Sequence, residues 1–174
     1  MDIRKWFKTV NNHQNECFFT KKINKESTNS TKINTKIINY DTSDVPHNYN
    51  KIYQVFTDGS AFNNHLSESK RIGGVGVYFS NFDIEDISFS LKNCKISNNI
   101  AELTAIKMGI ETIIVEQNFN INDCIHIYSD SKYSIDCLTK YCKQWEKNNW
   151  RKNNKNTSNT EIKNLDIIKI LWSY

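Results

Sequence analysis

The chain has a single proline, Pro46, and only five glycines in 174 residues, against an abundance of Asn, Ile and Lys. That bias follows AT-rich codons and reports the genome more than the function. No run of 18 or more apolar residues occurs, so nothing in the sequence spans a bilayer. Met1 to Val10 is charged throughout and lacks an apolar signal-peptide core, which leads us to expect an intracellular protein, in cytoplasm or nucleus. The five cysteines, Cys17, Cys94, Cys124, Cys137 and Cys142, are odd in number and contain no CxxC. A disulfide framework or a zinc knuckle is therefore not expected. The length fits one domain of ordinary size plus a tail, and an apolar share of 38% is enough for one packed core.

The net charge of +4 is unevenly spread: +3 over residues 1–50, −4 over 51–138 and +5 over 139–174. An acidic centre followed by a basic segment suits a protein that holds a polyanion at its edge and a metal at its middle. Charge alone fits an uneven solvated surface equally well, so motifs must decide.

Residues 11–50 are rich in Asn, Ser, Thr and Lys with no sustained period. They read as a disordered linker, because such a stretch buries too little apolar surface to offset its ordering entropy. Order is expected from about Lys51 to Tyr174. There KIYQVFTDGS is a β-rich run ending in a turn, GGVGVYFS its hairpin partner, and DISFSLK a third strand. Ser97 and Asn98 offer caps for a helix over NIAELTAIKMGIETIIVEQ, where Leu103, Ile106, Ile110 and Ile113 recur at helical spacing. A strand, CIHIYSDS, is followed by one helix over SKYSIDCLTKYCKQWEKNN, a basic loop, WRKNNKNTSN, and a third helix from about Thr160. This order predicts an α/β domain, a mixed β-sheet flanked by helices.

Acidic residues fall at element ends, where chemistry is usually mounted. Asp58 follows YQVFT, Glu102 lies in the expected first turn of the long helix, and Asp130 closes IHIYS. If the two strands are neighbours, both aspartates share one end of the sheet and the helix start can add the glutamate. Three carboxylates that close repel one another unless a cation is present, and such hard oxygen ligands suit Mg²⁺ or Mn²⁺. Each also has a structural explanation: Asp-Gly is a turn pair, glutamate favours a helix N-terminus, and Asp130 could cap the next helix.

FTDGS at 56–60, SNNIAELTAI at 97–106 and YSDSKY at 128–133, in that order, resemble the type 1 ribonuclease H family. GGVGVYF at 73–79 matches its second strand, and WEKNNWRKNNK at 145–155 its basic handle. The resemblance implies a ribonuclease H-like fold and hydrolysis of the RNA strand of RNA–DNA hybrids, leaving 5′-phosphate and 3′-hydroxyl ends. It implies two Mg²⁺ ions, with Mn²⁺ as a substitute, about 4 Å apart. Asp58 would bridge them, while Glu102 and Asp130 would hold the ion on the leaving-group side. The 2′-hydroxyl would be read near Gly59, Ser60, Asn98 and Asn99, with Ser131 and Tyr133 close by. The DNA strand would lie along Lys143, Trp145, Lys147, Trp150, Arg151, Lys152 and Lys155, with one of the two tryptophans in the core. Phosphate contacts of this kind give affinity that falls with salt and ignores sequence.

The match breaks at Tyr174, inside the third helix. By resemblance the family continues with a further strand, a mobile His loop, a fourth carboxylate and a closing helix. The expectation is thus a chain that binds hybrids and cleaves them weakly, or a domain completed elsewhere. The alternative is a catalytically inactive hybrid-binding module tethered to a replication clamp. That tether would be residues 1–10, where Ile3, Trp6 and Phe7 stand at i, i+3, i+4 and resemble a sliding-clamp-binding peptide.

Overall fold

In the computed structural model the described residues are 49–63, 67, 70–92, 96–120, 122–152 and 161–174, with the strand backbone of 16–22 and 34–38. The strands are β1 (Glu16–Lys22), β2 (Asn34–Ile38), β3 (Lys51–Phe62), β4 (Ile72–Phe79), β5 (Ile87–Leu91) and β6 (Asp123–Ser129). They form a six-stranded sheet in the order β2-β1-β6-β3-β4-β5. Only the β3–β6 pairing is parallel, so the sheet is mixed, as the element order predicts. The helices are α1 (Asn98–Glu116), α2 (Lys132–Asp136), α3 (Cys142–Lys147) and α4 (Leu165–Ser173). No helix among the described residues is long and apolar enough to cross a membrane.

The long helix α1 makes the crossover that a parallel β3–β6 pair requires. Ser97 caps it, its hydroxyl accepting from the Ile100 N–H at 3.3 Å. Leu103, Ile106, Ile110 and Ile113 are buried against the sheet, as their spacing predicts. Gly109 lets the helix sit close to β3, since a Cβ there would lie 2.7 Å from Val55 Cγ1. Tyr53, Val55, Val75, Val77 and Ile127 from the strands meet Ile168 and Leu171 of α4 in the same core.

The structure departs from the sequence reading at several points. The stretch 11–50 was expected to be a linker without order, yet it contributes β1 and β2. β1 pairs antiparallel along β6, covering an edge whose N–H and C=O groups would otherwise lack protein partners. Main-chain pairing tolerates polar neighbours, and Phe18, Phe19 and Thr20 belong to strand-favouring types. The Asp58-Gly59-Ser60 segment is not a turn, because β3 runs on to Phe62 with Asp58 opposite Gly76 and Ser60 opposite Gly74.

The second helix is not continuous. A π-helical turn, Cys137–Tyr141, separates α2 from α3, and the Cys142 N–H reaches back to Cys137 O. Within this stretch Thr139 Oγ1 donates to Ile135 O at 2.7 Å, a side-chain bond that competes for a helical carbonyl. The third helix begins at Leu165 instead of about Thr160, after Asn164 at φ 59°, a left-handed conformation that Asn tolerates.

Candidate metal centre and nucleic-acid face

The parallel register of β3 and β6 sets two of the acids side by side. Its last pair is Thr57 opposite Ser129, so the next residue on each strand is Asp58 and Asp130. Neighbouring strands lie about 4.8 Å apart, which brings the two side chains within reach of one another. The third acid comes from α1, through Gly59. A Cβ at Gly59 would stand 2.2 Å from Ala101 C and 2.3 Å from Glu102 N, so only glycine allows the helix backbone this close to the strand. Ligand oxygens of Asp58, Glu102 and Asp130 consequently lie within 4.8 Å of one another. Glu102 is the fifth residue of α1, on its second turn and not in the first, so the helix dipole does not account for it.

This arrangement is electrostatically unfavourable without a cation. Burial, then the Asp130 charge, raise the Asp58 carboxyl above its ordinary range, against the opposing Gly59 backbone bond. Glu102 is pushed up to about 8, by burial first and then by Asp58 and Asp130, again against a bond from Gly59. Its Oε2 is buried without a hydrogen-bond partner among the described residues. A buried, unsatisfied carboxylate oxygen facing two more carboxylates fits a divalent cation with oxygen ligands. These residues therefore suit Mg²⁺ or Mn²⁺.

The residues expected to read RNA surround the same rim. Asn98 Oδ1 accepts from the Ala61 N–H at 2.8 Å, tying the start of α1 to the end of β3. Ser60 is exposed and Asn99 half-buried. Ser131 caps α2, its hydroxyl accepting from the Ser134 N–H at 3.3 Å and lying 2.9 Å from Ser134 Oγ. Tyr133 sits further along, where its hydroxyl donates to Lys163 O at 3.3 Å and accepts from Asn164 Nδ2 at 3.1 Å. Burial holds that phenol up at about 12.

On the handle, Lys143, Lys147 and Arg151 are exposed and Lys152 is half-buried. Both tryptophans pack partly against the core, although the sequence assigns one of them there. Trp145 stacks toward Tyr141 with centroids 5.5 Å apart, and Trp150, at φ 58°, lies under Lys169 at 5.3 Å. Trp145 and Lys152 line a cavity of about 320 Å³ with Tyr133, Tyr141, Ile162 and Lys163. Sequence reading passed over Tyr141, which stands one helical turn before Trp145. Lys155 and the tip residues Ile3, Trp6 and Phe7 lie outside the described residues.

Fold and rim together define an α/β domain with a three-carboxylate centre of the kind that holds divalent cations. The chain belongs to the RNase H family, whose model matches residues 50–173. It is 35% identical over 114 residues to "Ribonuclease H" of Schizosaccharomyces pombe, covering 66% of this chain and 38% of that protein. It is 34% identical over 88 residues to "Ribonuclease H" of Saccharomyces cerevisiae, covering 49% of this chain and 24% of that one. The chain thus spans less than half the length of these relatives. Among solved structures, a foamy viral protease-reverse transcriptase in complex with double-stranded DNA has the same fold. It superposes at a TM-score of 0.53 with 19% identity, over 69% of this chain and 71% of that one. The foamy viral enzyme in complex with RNA/DNA hybrid matches at 0.50 with 18% identity, over 67% of this chain and 15% of that one.

Proposed function

We propose that the chain hydrolyses the RNA strand of RNA–DNA hybrids with divalent cations held by Asp58, Glu102 and Asp130. The observation that carries this reading is the convergence of the three acids within 4.8 Å, with Glu102 pushed up to about 8. An inert hybrid-binding module would gain nothing from retaining groups that repel each other in a partly buried rim. Family membership and two relatives named ribonuclease H support the same substrate class.

Two bound Mg²⁺ ions would supply an activated water and stabilise the departing oxygen. The chain's own part is positioning. Gly59 fixes the distance between strand and helix, and its N–H holds the Glu102 carboxylate in place. Because the Asn98 oxygen already accepts from Ala61, a contact from Asn98 to a 2′-oxygen would use the amide NH₂. Ser60 and Asn99 offer further donors at that rim. Lys143, Lys147 and Arg151 would meet the DNA strand through phosphates, which adds affinity without sequence preference.

The test is cleavage of an RNA–DNA hybrid beside single-stranded RNA and duplex DNA, in Mg²⁺ or Mn²⁺. We expect cleavage of the hybrid's RNA strand alone. Asp58→Asn should reduce it at least about a thousandfold, since ligands of a catalytic ion contribute several kcal/mol to the transition state. Hybrid cleavage that survives this substitution would overturn the assignment.

A further inference from the structure

On one side the sheet ends at β5, which pairs with β4 and with no other described strand. The main chain of β4 shows which groups of β5 are left over. The Ser80 N–H donates to Gln54 O next to β3, so the N–H of its neighbour Phe79 turns the other way, where it donates to Asp86 Oδ1 at 3.3 Å just before β5. Strand alternation then directs Val77, Val75 and Gly73 toward β5, where they stand opposite Ile87, Phe89 and Leu91. The N–H and C=O groups of Ser88 and Ser90 consequently point away from the sheet. No turn or loop bond reaches them among the described residues.

Such a row is a template for another strand, and proteins usually blunt it with proline, lysine or a cover. Ile87–Leu91 reads ISFSL and carries no proline or charge. Ser88, Phe89 and Ser90 are all exposed, Phe89 at 52%, so the rest of the chain leaves them uncovered. The nearest charges flank the strand, Asp86 before it and Lys92 after it.

This segment is its own complement. Turned antiparallel about Phe89, a second copy sets its Ser90 opposite Ser88, its Leu91 opposite Ile87 and its Lys92 opposite Asp86. The serines then form hydrogen-bonded pairs, and the two Phe89 rings fall at a non-hydrogen-bonded pair, the closer kind, with Cβ atoms about 4.5–5.5 Å apart. Leu91 is in the core and Ile87 packs against it, so the phenylalanine pair joins apolar surface on both sides. Asp86 keeps its charge while accepting from Phe79, and a slip of two residues would separate it from Lys92. Charge therefore fixes the register.

We propose that the β5 edge is the interface of a two-fold dimer, in which residues 86–92 of two copies pair antiparallel and Asp86 of each faces Lys92 of the other. The pairing continues the sheet beyond β5 and leaves both carboxylate rims uncovered, since Asp58 stands two strands in, opposite Gly76, which is opposite Ser88. It is small beside the roughly 20–30 residues a side of a standard interface, so the association is weak and reversible.

Sedimentation velocity of the full chain without nucleic acid should show passage from 20.4 kDa to twice that mass across the micromolar range. A chain that stays monomeric through the high micromolar range overturns the proposal, as does one that grows past the dimer, because a two-fold contact closes on itself. Ser90→Pro deletes an outward N–H that the fold does not use, at a place where an edge strand tolerates proline, and should weaken dimerisation at least about tenfold. Unchanged dimerisation in that variant would reject this edge as the interface. Should Ser90→Pro misfold by circular dichroism, the flanking charges decide. Asp86→Lys and Lys92→Asp each oppose like charges and should stay monomeric alone, whereas an equimolar mixture of the two restores both attractions and should dimerise. Native-like dimerisation of either variant alone, or a mixture no more dimeric than its parts, rejects the proposal.

Discussion

The carboxylate rim and the basic handle, both drawn from residues the sequence singled out, are built on opposite terms. At the rim, strand register and a glycine with no room for a side chain force Asp58, Glu102 and Asp130 together although they repel. Along the handle nothing is forced. Lys143, Lys147 and Arg151 extend into solvent, while both tryptophans are already used by core packing. The rim is an arrangement that a cation or a bound proton relieves, whereas the handle is explained as fold with a basic surface. That contrast favours the rim over the handle as the seat of the proposed chemistry.

The contrast can be broken most severely at Gly59. In Gly59→Ala the new methyl would overlap the Ala101 and Glu102 backbone, which cannot swing aside like a flexible side chain. We expect a loss of about 3 kcal/mol in denaturant unfolding, the upper part of the usual overpacking range. Divalent-ion binding should weaken as well. A loss below about 1 kcal/mol would mean that α1 can retreat from β3 without consequence.

The rim should also announce itself through pH. Glu102 has a folded-state value near 8 against an ordinary 4.5, so the folded protein binds this proton more tightly than the unfolded chain does. The resulting stabilisation is fully present below about 4.5 and disappears as pH rises through about 8. Without divalent ions, unfolding free energy should fall by about 2 kcal/mol across that window, the figure allowing for solvent at the rim. Glu102→Gln, or millimolar Mg²⁺, should flatten the slope. Urea midpoints at pH 5, 6.5 and 8 would check it, and a slope that persists in Glu102→Gln would assign the effect to another group.

On the handle side the expected effects are smaller. Lys143→Ala removes an exposed cation and should weaken hybrid binding about threefold at low salt, leaving divalent-ion affinity within a factor of two. A large loss of ion affinity in that variant would tie the handle helix to the centre and dissolve the distinction.

Much of this was legible before any coordinates. Of the three acids only Asp130 stands beside an element boundary, since β3 runs on past Asp58 to Phe62 and Glu102 is on the second turn of α1, but hydrophobic spacing identified α1 and its buried residues. What escaped had long-range causes. Asp-Gly is a turn signal locally, but the glycines of β4 pair with Asp58 and Ser60 and keep the strand running. The closeness demanded at Gly59 depends on α1, some forty residues later in the sequence. The π-helical turn arises where a threonine hydroxyl competes for a carbonyl, which helical periodicity does not register. The strands within 11–50 owe their order to the edge of β6, whose existence no property of those residues announces.

The central claim is that the three acids form one divalent-cation centre. Mn²⁺ titration followed by electron paramagnetic resonance at pH 7.5 tests it most directly, with the native chain beside Asp58→Asn and Glu102→Gln. The account predicts saturable binding that weakens at least about tenfold in each variant. Equal Mn²⁺ affinity in all three chains would contradict it.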